Sequence, residues 1–263
     1  MRISTPLDYS ANLNASVALA QQFESAGIDQ IWIAEAYGFD AVSLIGFLAA
    51  RTRSVGLGTG VLNVFSRSAS AIAQTAAGLD ALSEGRFTLG LGTSGPQVIE
   101  GFHGIAYDRP LTRLQEVVAV CRMAWRREPL QLHGSTIEVP LKRGNVDEVR
   151  PLKLINRPIR SAIPLYLAAL GPKSVEFCAA AADGWFPFPF IAEQANTVWG
   201  DALLRGGSQR LAELGPLDIV AGGPLFIGSQ RDAAEARQTY RAKLALYIGG
   251  MGTAETNFYN KVF

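Results

Sequence analysis

The chain has 263 residues, 48% of them hydrophobic and 18% charged, and its formal net charge is +1. A chain of this length can bury a sizeable core, and α/β barrels commonly form one domain of roughly 200–250 residues, so we expect a single domain over residues 1–263. Two classes are excluded, because there is no basic stripe for nucleic acid and no apolar run reaches the ~18 residues of a membrane span. The N-terminus also lacks the apolar run of a signal peptide, so we expect a cytoplasmic protein.

Strand and helix patterns alternate along most of the chain. Short runs rich in β-branched, aromatic and other apolar residues predict the strands, and apolar residues at helical spacing lie between them. In chain order, the predicted strands are 3–7, 28–34, 55–61, 86–91, 165–170, 185–190 and 219–226. The predicted helices lie around 13–23, 40–49, 72–82 and 110–125, from 172 onwards, and around 193–214 and 232–248.

This alternation predicts parallel strands joined by right-handed crossovers, and hence an α/β fold. Two architectures fit it: a TIM-type (β/α)8 barrel, which is our prediction, and a doubly wound open sheet. We count about seven strands where a closed barrel needs eight, and no further strand–helix unit precedes Phe263. The barrel is therefore expected to be incomplete at its C-terminus, either because the chain is shortened or because the last strand is absent or irregular.

One segment breaks the alternation. Residues 128–163, after the fourth strand–helix unit, interrupt the pattern with Pro, Gly, Lys and Arg. We interpret this segment as an insertion with a short hairpin. A loop of this length in a compact domain is often functional.

A glycine-rich motif, Gly90-Leu91-Gly92-Thr93-Ser94-Gly95, follows the fourth strand. A dinucleotide site would need the third glycine inside a helix and an acidic residue at the end of the next strand. Here Pro96 follows and no helical pattern starts at once. We therefore interpret the motif as a glycine-lined strand end whose backbone can approach a ligand closely, with hydroxyls from Thr93 and Ser94.

A second glycine-rich strand end covers Gly56-Leu57-Gly58-Thr59-Gly60-Val61. Glycines at alternate positions remove side chains from one face of a strand. In a barrel this could leave room for a ligand ring, and it could equally serve tight packing of neighbouring elements. The residues alone leave both interpretations open.

The third strand end is Ala168-Ala169-Leu170-Gly171-Pro172-Lys173-Ser174. Pro172 opens a helix whose free N–H groups face the carboxyl end of the strand, and Lys173 adds a positive charge. This arrangement is typical of an anion site, and the alternative is an ordinary strand–helix turn. In a barrel all strand ends of this kind face the same mouth.

Candidates for acid–base chemistry are few. Glu35 ends the second strand between Ala34 and Ala36, where small apolar neighbours could partly desolvate the carboxyl group and suit it to proton transfer. His103 lies in the loop after the fourth strand, where it is either catalytic or simply structural or solvated.

The sequence contains no cluster with metal-ligand spacing and no serine in a nucleophile elbow. Its two cysteines, Cys121 and Cys178, lie in apolar helical patterns. We expect both to be buried thiols in a reducing compartment, and we expect no metal.

Four stretches together resemble the bacterial-luciferase-like monooxygenase superfamily. Within it the chain looks most like oxidoreductases that use the deazaflavin coenzyme F420, relatives of methylene-tetrahydromethanopterin reductase. The stretches that carry the resemblance are 27–37, 57–63 with Arg67, 79–91, and 166–172 with 182–185.

The resemblance implies a barrel with the deazaflavin at the strand carboxyl ends, hydride transfer between its C5 and a small organic substrate, and a homodimer. It implies a non-proline cis peptide at Gly60–Val61 behind the ring, and Asn63 in contact with the ring system. It also implies that the coenzyme's side chain and phosphate lie along Gly92, Thr93 and Ser94, and that the helix N-terminus holding the phosphate comprises Ala169, Leu170, Gly171 and Pro172.

The chain departs from this family at one catalytic position. Several relatives end the second strand in an Asp-His pair, and the corresponding residues here are Glu35 and Ala36. The proton-transfer role therefore shifts to Glu35, as donor or orienter. Two alternatives stay open: an FMN-dependent luciferase-like monooxygenase, and a non-catalytic flavin-binding barrel protein.

Overall fold

The computed structural model describes residues 1–7, 12–142, 149–223, 226–250 and 259. Contacts between Cα atoms divide the chain into two units, Met1–Ala168 and Ala169–Phe263. The single domain over residues 1–263 stays a prediction.

In the first unit strands and helices alternate as predicted. The strands are Ser4–Pro6 (β1), Gln30–Ile33 (β2), Gly56–Thr59 (β3), Leu62–Asn63 (β4), Phe87–Gly92 (β5), Leu132–His133 (β6), Glu138–Val139 (β7) and Leu165–Ala168 (β8). The helices are Leu13–Ser25 (α1), Ala41–Ala49 (α2), Ala69–Leu82 (α3), Pro96–Gly101 (α4) and Pro110–Trp125 (α5).

The first unit contains a parallel sheet with the strand order β1-β2-β3-β5-β8. The short strand β4 also pairs with β5. The predicted parallel order is therefore confirmed. All six residues of β5 are buried. Both faces of this strand are covered, as in parallel sheets with helices packed on the outside.

The glycines of β3 serve tight packing. A Cβ atom at Gly58 would overlap the ring of Trp32 on the neighbouring strand, and one at Gly56 would overlap the side chain of Gln30. Trp32 and Gln30 thus fill the face that Gly56 and Gly58 leave open. Of the two interpretations of this segment, the structure supports packing at these two positions.

Side chains at the helix starts fix where the chain leaves each strand-end loop. Asp40 accepts a hydrogen bond from the N–H of Ser43 at the start of α2, and Ser68 accepts one from Ala71 at the start of α3. Caps of this kind satisfy N–H groups that have no partner within the helix. They hold the loops that follow β2 and β4 in a defined conformation.

The predicted hairpin in the insertion is confirmed, because β6 and β7 pair antiparallel. Glu116 of α5 accepts hydrogen bonds from the N–H groups of Ser135, Thr136 and Ile137, which form the tip of the hairpin. These bonds anchor the hairpin to the helix before it. Residues 143–148 of the predicted insertion lie outside the described residues.

The second unit consists of shorter elements. Trp185 and Trp199 are its large buried residues, with 1% and 0% of their surface exposed. The strands β9 and β10 pair in parallel, which continues the predicted strand–helix alternation. The elements are Pro172–Ala181 (α6), Gly184–Phe186 (β9), Ala192–Ser208 (α7), Asp218–Ile219 (β10) and Gln230–Gly250 (α8).

Three predicted boundaries in this unit are wrong. The strand expected over 185–190 ends at Phe186, because proline at 187 and 189 has no N–H to donate to a neighbouring strand. The helix expected over 193–214 ends at Ser208, after Gly206 and Gly207, which favour a helix end over its continuation. The strand expected over 219–226 is limited to Asp218–Ile219, and residues 224–225 lie outside the described residues.

No helix in the described ranges is both long enough and apolar enough to cross a membrane.

Candidate active site at the strand carboxyl ends

The peptide bond between Gly60 and Val61 is cis, at the position that the resemblance implies, and it separates β3 from β4. A Cβ atom at Gly92 would lie 2.8 Å from Cγ2 of Val61, so Gly92 makes room for the Val61 side chain. At the end of β3, Thr59 Oγ1 donates to the carbonyl oxygen of Gly90 at 2.8 Å and accepts from the N–H of Gly90 at 2.7 Å. Thr59, which the sequence analysis missed, therefore joins the end of β3 to β5.

Asn63 shapes the chain immediately after β4. Its side chain is 3% exposed, and Oδ1 accepts from the N–H groups of Phe65 at 3.0 Å and Ser66 at 2.7 Å. An asparagine that bonds to its own following backbone holds a tight turn. Nδ2 of Asn63 donates to no residue in the described ranges, so it is the group of this side chain with a hydrogen bond left to offer a ligand.

Glu35 is paired with a cation. Its side chain, 7% exposed, accepts from Arg67 Nη1 at 2.5 Å and from Nη2 at 2.9 Å. Oε2 also accepts from the backbone N–H of Ala41, the first residue of α2, at 3.0 Å. Glu35 is largely removed from water, as expected, but its surroundings are not only apolar. The Arg67 guanidinium supplies the partner that a carboxylate needs when it is removed from water.

This pairing bears on the role of Glu35. Its hydrogen bonds raise the pKa of Arg67, so the guanidinium stays charged. Both oxygens of Glu35 accept hydrogen bonds from donors, which favours the orienting role over proton donation. A catalytic role for Glu35 stays a prediction.

Thr93 and Ser94 follow β5 and are held by a tyrosine that the sequence analysis did not name. The hydroxyl of Tyr107 donates to the carbonyl oxygen of Ser94 at 2.9 Å and lies 3.2 Å from Oγ1 of Thr93. Burial raises the pKa of Tyr107, so the phenol stays protonated and able to donate. Ser94 adopts a left-handed conformation with φ of 56°, which is uncommon for residues other than glycine.

The expectation that no helix begins at once after the glycine-rich motif is wrong. The helix α4 starts at Pro96, with Gly95 directly before its first residue. Proline suits this first position because its fixed φ matches the helix and the missing N–H would have no helical partner. Gly95 nevertheless lies before the helix, not inside it, and β8, the next parallel partner of β5, ends in Ala168. The dinucleotide pattern is still not met.

Aromatic residues lie in the loop after β2 and in the segment after α4. Tyr37 and Phe102, which are 64% and 60% exposed, have ring centroids 6.4 Å apart, and the ring of His103 meets Phe102 edge-on at 5.1 Å. Nε2 of His103 is buried and has no hydrogen-bond partner in the described part of the chain. His103 is therefore not simply solvated. A catalytic role for it stays untested.

The predicted anion site lies in the second unit. The helix α6 begins at Pro172, as predicted, and Gly171 before it provides no side-chain cap. Indole Nε1 of Trp185 donates to the carbonyl oxygen of Ala169 at 2.8 Å, and Nε1 of Trp199 donates to that of Leu170 at 2.9 Å. The sequence analysis identified this loop and missed the two tryptophans that hold it.

Cys121 and Cys178 form no disulfide and are buried, as predicted, and burial raises the pKa of Cys121 well above its ordinary value. The described residues contain no group of three or more His, Cys, Asp or Glu side chains that could hold a metal ion.

A parallel α/β fold with polar and glycine-rich residues at the carboxyl ends of its strands defines a class of ligand-binding enzymes. The comparison with known families agrees with this class of enzymes and identifies one family within it. The family model described as "Luciferase-like monooxygenase" matches residues 1–262, and the chain belongs to that family.

Two relatives are similar in sequence. A putative coenzyme F420-dependent oxidoreductase of Mycobacterium tuberculosis is 39% identical over 245 residues, which are 91% of this chain and 70% of that protein. The 5,10-methylenetetrahydromethanopterin reductase of Methanolobus tindarius is 32% identical over 171 residues, which are 63% of this chain. The matched part covers less than half, 47%, of the Methanolobus protein.

Solved structures share the fold. The coenzyme F420-dependent tetrahydromethanopterin reductase from Methanopyrus kandleri matches with a TM-score of 0.72 at 17% identity, over 100% of this chain and 81% of that one. The oxygenating constituent of 3,6-diketocamphane monooxygenase from Pseudomonas putida, in complex with FMN, matches with a TM-score of 0.69 at 16% identity, over 95% and 77%. The predicted α/β fold of the TIM-barrel type is thereby confirmed.

Proposed function

We propose that this chain is an oxidoreductase that uses coenzyme F420 to transfer a hydride between the deazaflavin C5 and a small organic substrate. The observation that carries the proposal is the 39% identity to a putative coenzyme F420-dependent oxidoreductase over 91% of the chain. The family match over residues 1–262 supports the same assignment.

The residues present fit a phosphate-bearing deazaflavin. The side-chain NH2 group of Asn63 has no protein partner in the described ranges, and a carbonyl-bearing ring needs such donors. The N-terminus of α6, with no side-chain cap, offers backbone N–H groups to a phosphate. When bound, the coenzyme supplies a carbon that gives or takes a hydride.

Residues of the first unit would contact the bound deazaflavin in three ways. Gly60 and Val61 would support one face of the ring, and Asn63 would orient its edge. Gly92, Thr93 and Ser94 would line the coenzyme's side chain, with Tyr107 fixing the backbone of Ser94.

Glu35 would act on Arg67 and on the start of α2, and not as the proton donor. Its bidentate pairing holds the guanidinium at the carboxyl end of β2. Ala36 has no group that could carry a proton. The proton that accompanies hydride transfer is then supplied by the substrate, by water or by another side chain.

A second candidate is an FMN-dependent monooxygenase of the same family. The observation that favours it is the structural match to the diketocamphane monooxygenase, whose structure contains FMN. The two functions differ in the coenzyme that binds, and a measurement of coenzyme affinity separates them.

A fluorescence titration of the purified chain with F420 and with FMN tests the proposal. We expect F420 to bind with a Kd of about 1 μM or lower, and FMN to bind at least about tenfold more weakly, a difference of about 1.4 kcal/mol. Micromolar binding of FMN without binding of F420 would favour the monooxygenase. Tight F420 binding without turnover of any substrate in a broad panel would favour a non-catalytic coenzyme-binding protein.

We also propose a homodimer that acts in the cytoplasm and binds neither nucleic acid nor membrane. The resemblance supports the dimer, and the low net charge of +1 supports the exclusion of nucleic acid. Light scattering on the purified chain measures the oligomeric state.

A further inference from the structure

Two buried tryptophans hold the loop that leads into α6. Trp185 follows the first residue of β9 and Trp199 lies in α7, and they are 1% and 0% exposed. Their rings meet edge to face with centroids 5.2 Å apart, so they form one aromatic layer. From this layer, Trp185 donates to the carbonyl of Ala169 and Trp199 to the carbonyl of Leu170, the next residue.

These two hydrogen bonds fix the direction of the adjoining N–H groups. The peptide bonds after Ala169 and after Leu170 are not among the cis bonds of the chain, so they are trans. In a planar trans peptide the N–H points opposite to the C=O. The N–H groups of Leu170 and Gly171 therefore point away from the aromatic layer.

These N–H groups join two more at the start of the helix. The first N–H groups of a helix have no partner within it, which applies here to Lys173 and Ser174, while Pro172 has none. No described residue accepts a hydrogen bond from the N–H of Leu170, Gly171, Lys173 or Ser174. Successive unpaired N–H groups of this kind form an anion-binding concavity.

We propose that Trp185 and Trp199 are positioning residues that make the site selective for a phosphorylated coenzyme. This inference rests on the proposed function, because it assigns the phosphate of the bound coenzyme to the N-terminus of α6. The indole N–H groups hold two carbonyl oxygens on the side away from the phosphate. Without them either peptide could rotate, which would turn a carbonyl oxygen toward the phosphate and an N–H away from it.

The substitutions Trp185→Phe and Trp199→Phe test the proposal, since each removes an indole N–H and keeps an aromatic ring. Trp125→Phe is the matched control, because Trp125 is 2% exposed and its Nε1 donates to the carbonyl of Ala73 in the other unit. The measurement is the affinity of the full chain for two ligand pairs. One pair is F420 and the deazaflavin chromophore without phosphate, and the other is FMN and riboflavin.

For each pair, the ratio of the two affinities gives the phosphate preference. We expect each variant at 185 or 199 to lower this preference about tenfold or more, the effect of one lost charge-assisted hydrogen bond. The affinity for the phosphate-free member should stay within about twofold, as expected when the substitution changes only the N–H groups that face the phosphate. Trp125→Phe should leave the ratio unchanged.

A further variant covers the case in which loss of a tryptophan unfolds the protein. Gly171 has φ of −68° and ψ of 149°, both compatible with proline. Gly171→Pro therefore removes one of the oriented N–H groups at a φ and ψ that proline itself adopts. It should lower the phosphate preference in the same way.

The outcomes separate the inference from the proposed function. Equal weakening of both members of a pair would mean that the tryptophans only support the fold, and the inference would be wrong. Wild-type protein that prefers neither FMN over riboflavin nor F420 over its phosphate-free form would also overturn it. If the wild type prefers FMN over riboflavin and does not bind F420, the proposed coenzyme is wrong, and the FMN pair still tests the tryptophans.

Discussion

At the scale of single residues, the pairing of Glu35 with Arg67 is the feature with the clearest consequence. The side chains are only 7% and 22% exposed, and the pairing is bidentate. Removing one partner leaves the other charge partly buried without its counterion. Hydrogen bonds to charged groups are worth more than neutral ones, and losing one leaves the remaining group unsatisfied.

We therefore expect Glu35→Gln to lower the free energy of unfolding by about 1–3 kcal/mol. Urea denaturation measures this, and a double-mutant cycle with Arg67→Gln isolates the coupling between the two side chains. Glu128→Gln is the control, since the pair between Arg126 and Glu128 is exposed and such pairs contribute little. Zero coupling between residues 35 and 67 would contradict an orienting role for Glu35.

Contacts between residues far apart in the sequence could not be predicted from the sequence. Glu35 could be placed at a strand end from the sequence, but its partner, Arg67, lies 32 positions further along. Nothing local in the sequence of 34–36 indicates that contact. Tyr107, Trp185 and Trp199 were missed for the same reason, because their hydrogen bonds to strand-end backbone depend on tertiary contacts.

At the scale of elements, Glu24 ties α1 to the segment that enters β3. Its carboxylate accepts from the N–H groups of Arg53, Ser54 and Val55 at 2.7, 2.6 and 3.0 Å. Burial raises the pKa of the Glu24 carboxylate. These backbone hydrogen bonds lower it by more, and the pKa falls from 4.5 to about 2. The folded state therefore holds this group ionised at pH values where the unfolded chain binds a proton.

A carboxyl group whose pKa falls on folding stabilises the protein above its unfolded pKa and loses that contribution as the pH falls through its folded pKa. We expect the stability difference between the wild type and Glu24→Gln to be largest above about pH 5 and to shrink toward about pH 2. Urea denaturation at a series of pH values measures it, with the exposed Glu213→Gln as control. A difference that does not change with pH would contradict this account.

The order of the elements could be predicted from the sequence and their ends could not. Hydrophobic periodicity indicated the parallel strands of the first unit, because burial determines that pattern. The hairpin of the insertion was predicted from the break in that periodicity. The third predicted strand, 55–61, divides into β3 and β4 around Gly60–Val61, and only the resemblance indicated a special backbone there. Propensity does not encode such a local conformation. Proline at position 96 is a signal for a helix start, but α4 has only six residues, too few for a helical periodicity to show.

At the scale of the whole molecule, periodicity predicted an α/β fold and left its ligand open. The glycines at 56 and 58 show why, since the pattern that suggested room for a ring instead accommodates Trp32 and Gln30. A glycine-rich strand end indicates that other atoms approach the backbone closely. It does not indicate whether those atoms belong to a ligand or to the protein. The combination of four stretches pointed to a coenzyme class where no single motif did.

The ligand question has a test on the intact chain. A ligand that binds only the folded state at about 100 times its Kd adds about 2.7 kcal/mol of stability, which raises Tm by roughly 5–10 °C for a chain of this size. We expect F420 to produce this shift and NADPH to produce none, because the glycine-rich motif at 90–95 lacks both the helical third glycine and the acidic strand end of a dinucleotide site. Differential scanning calorimetry measures both shifts. An NADPH shift equal to that of F420 would mean that the motif binds a dinucleotide after all. The shift in Tm depends only on how tightly each ligand binds the folded state, so this test is independent of the resemblance on which the coenzyme was proposed.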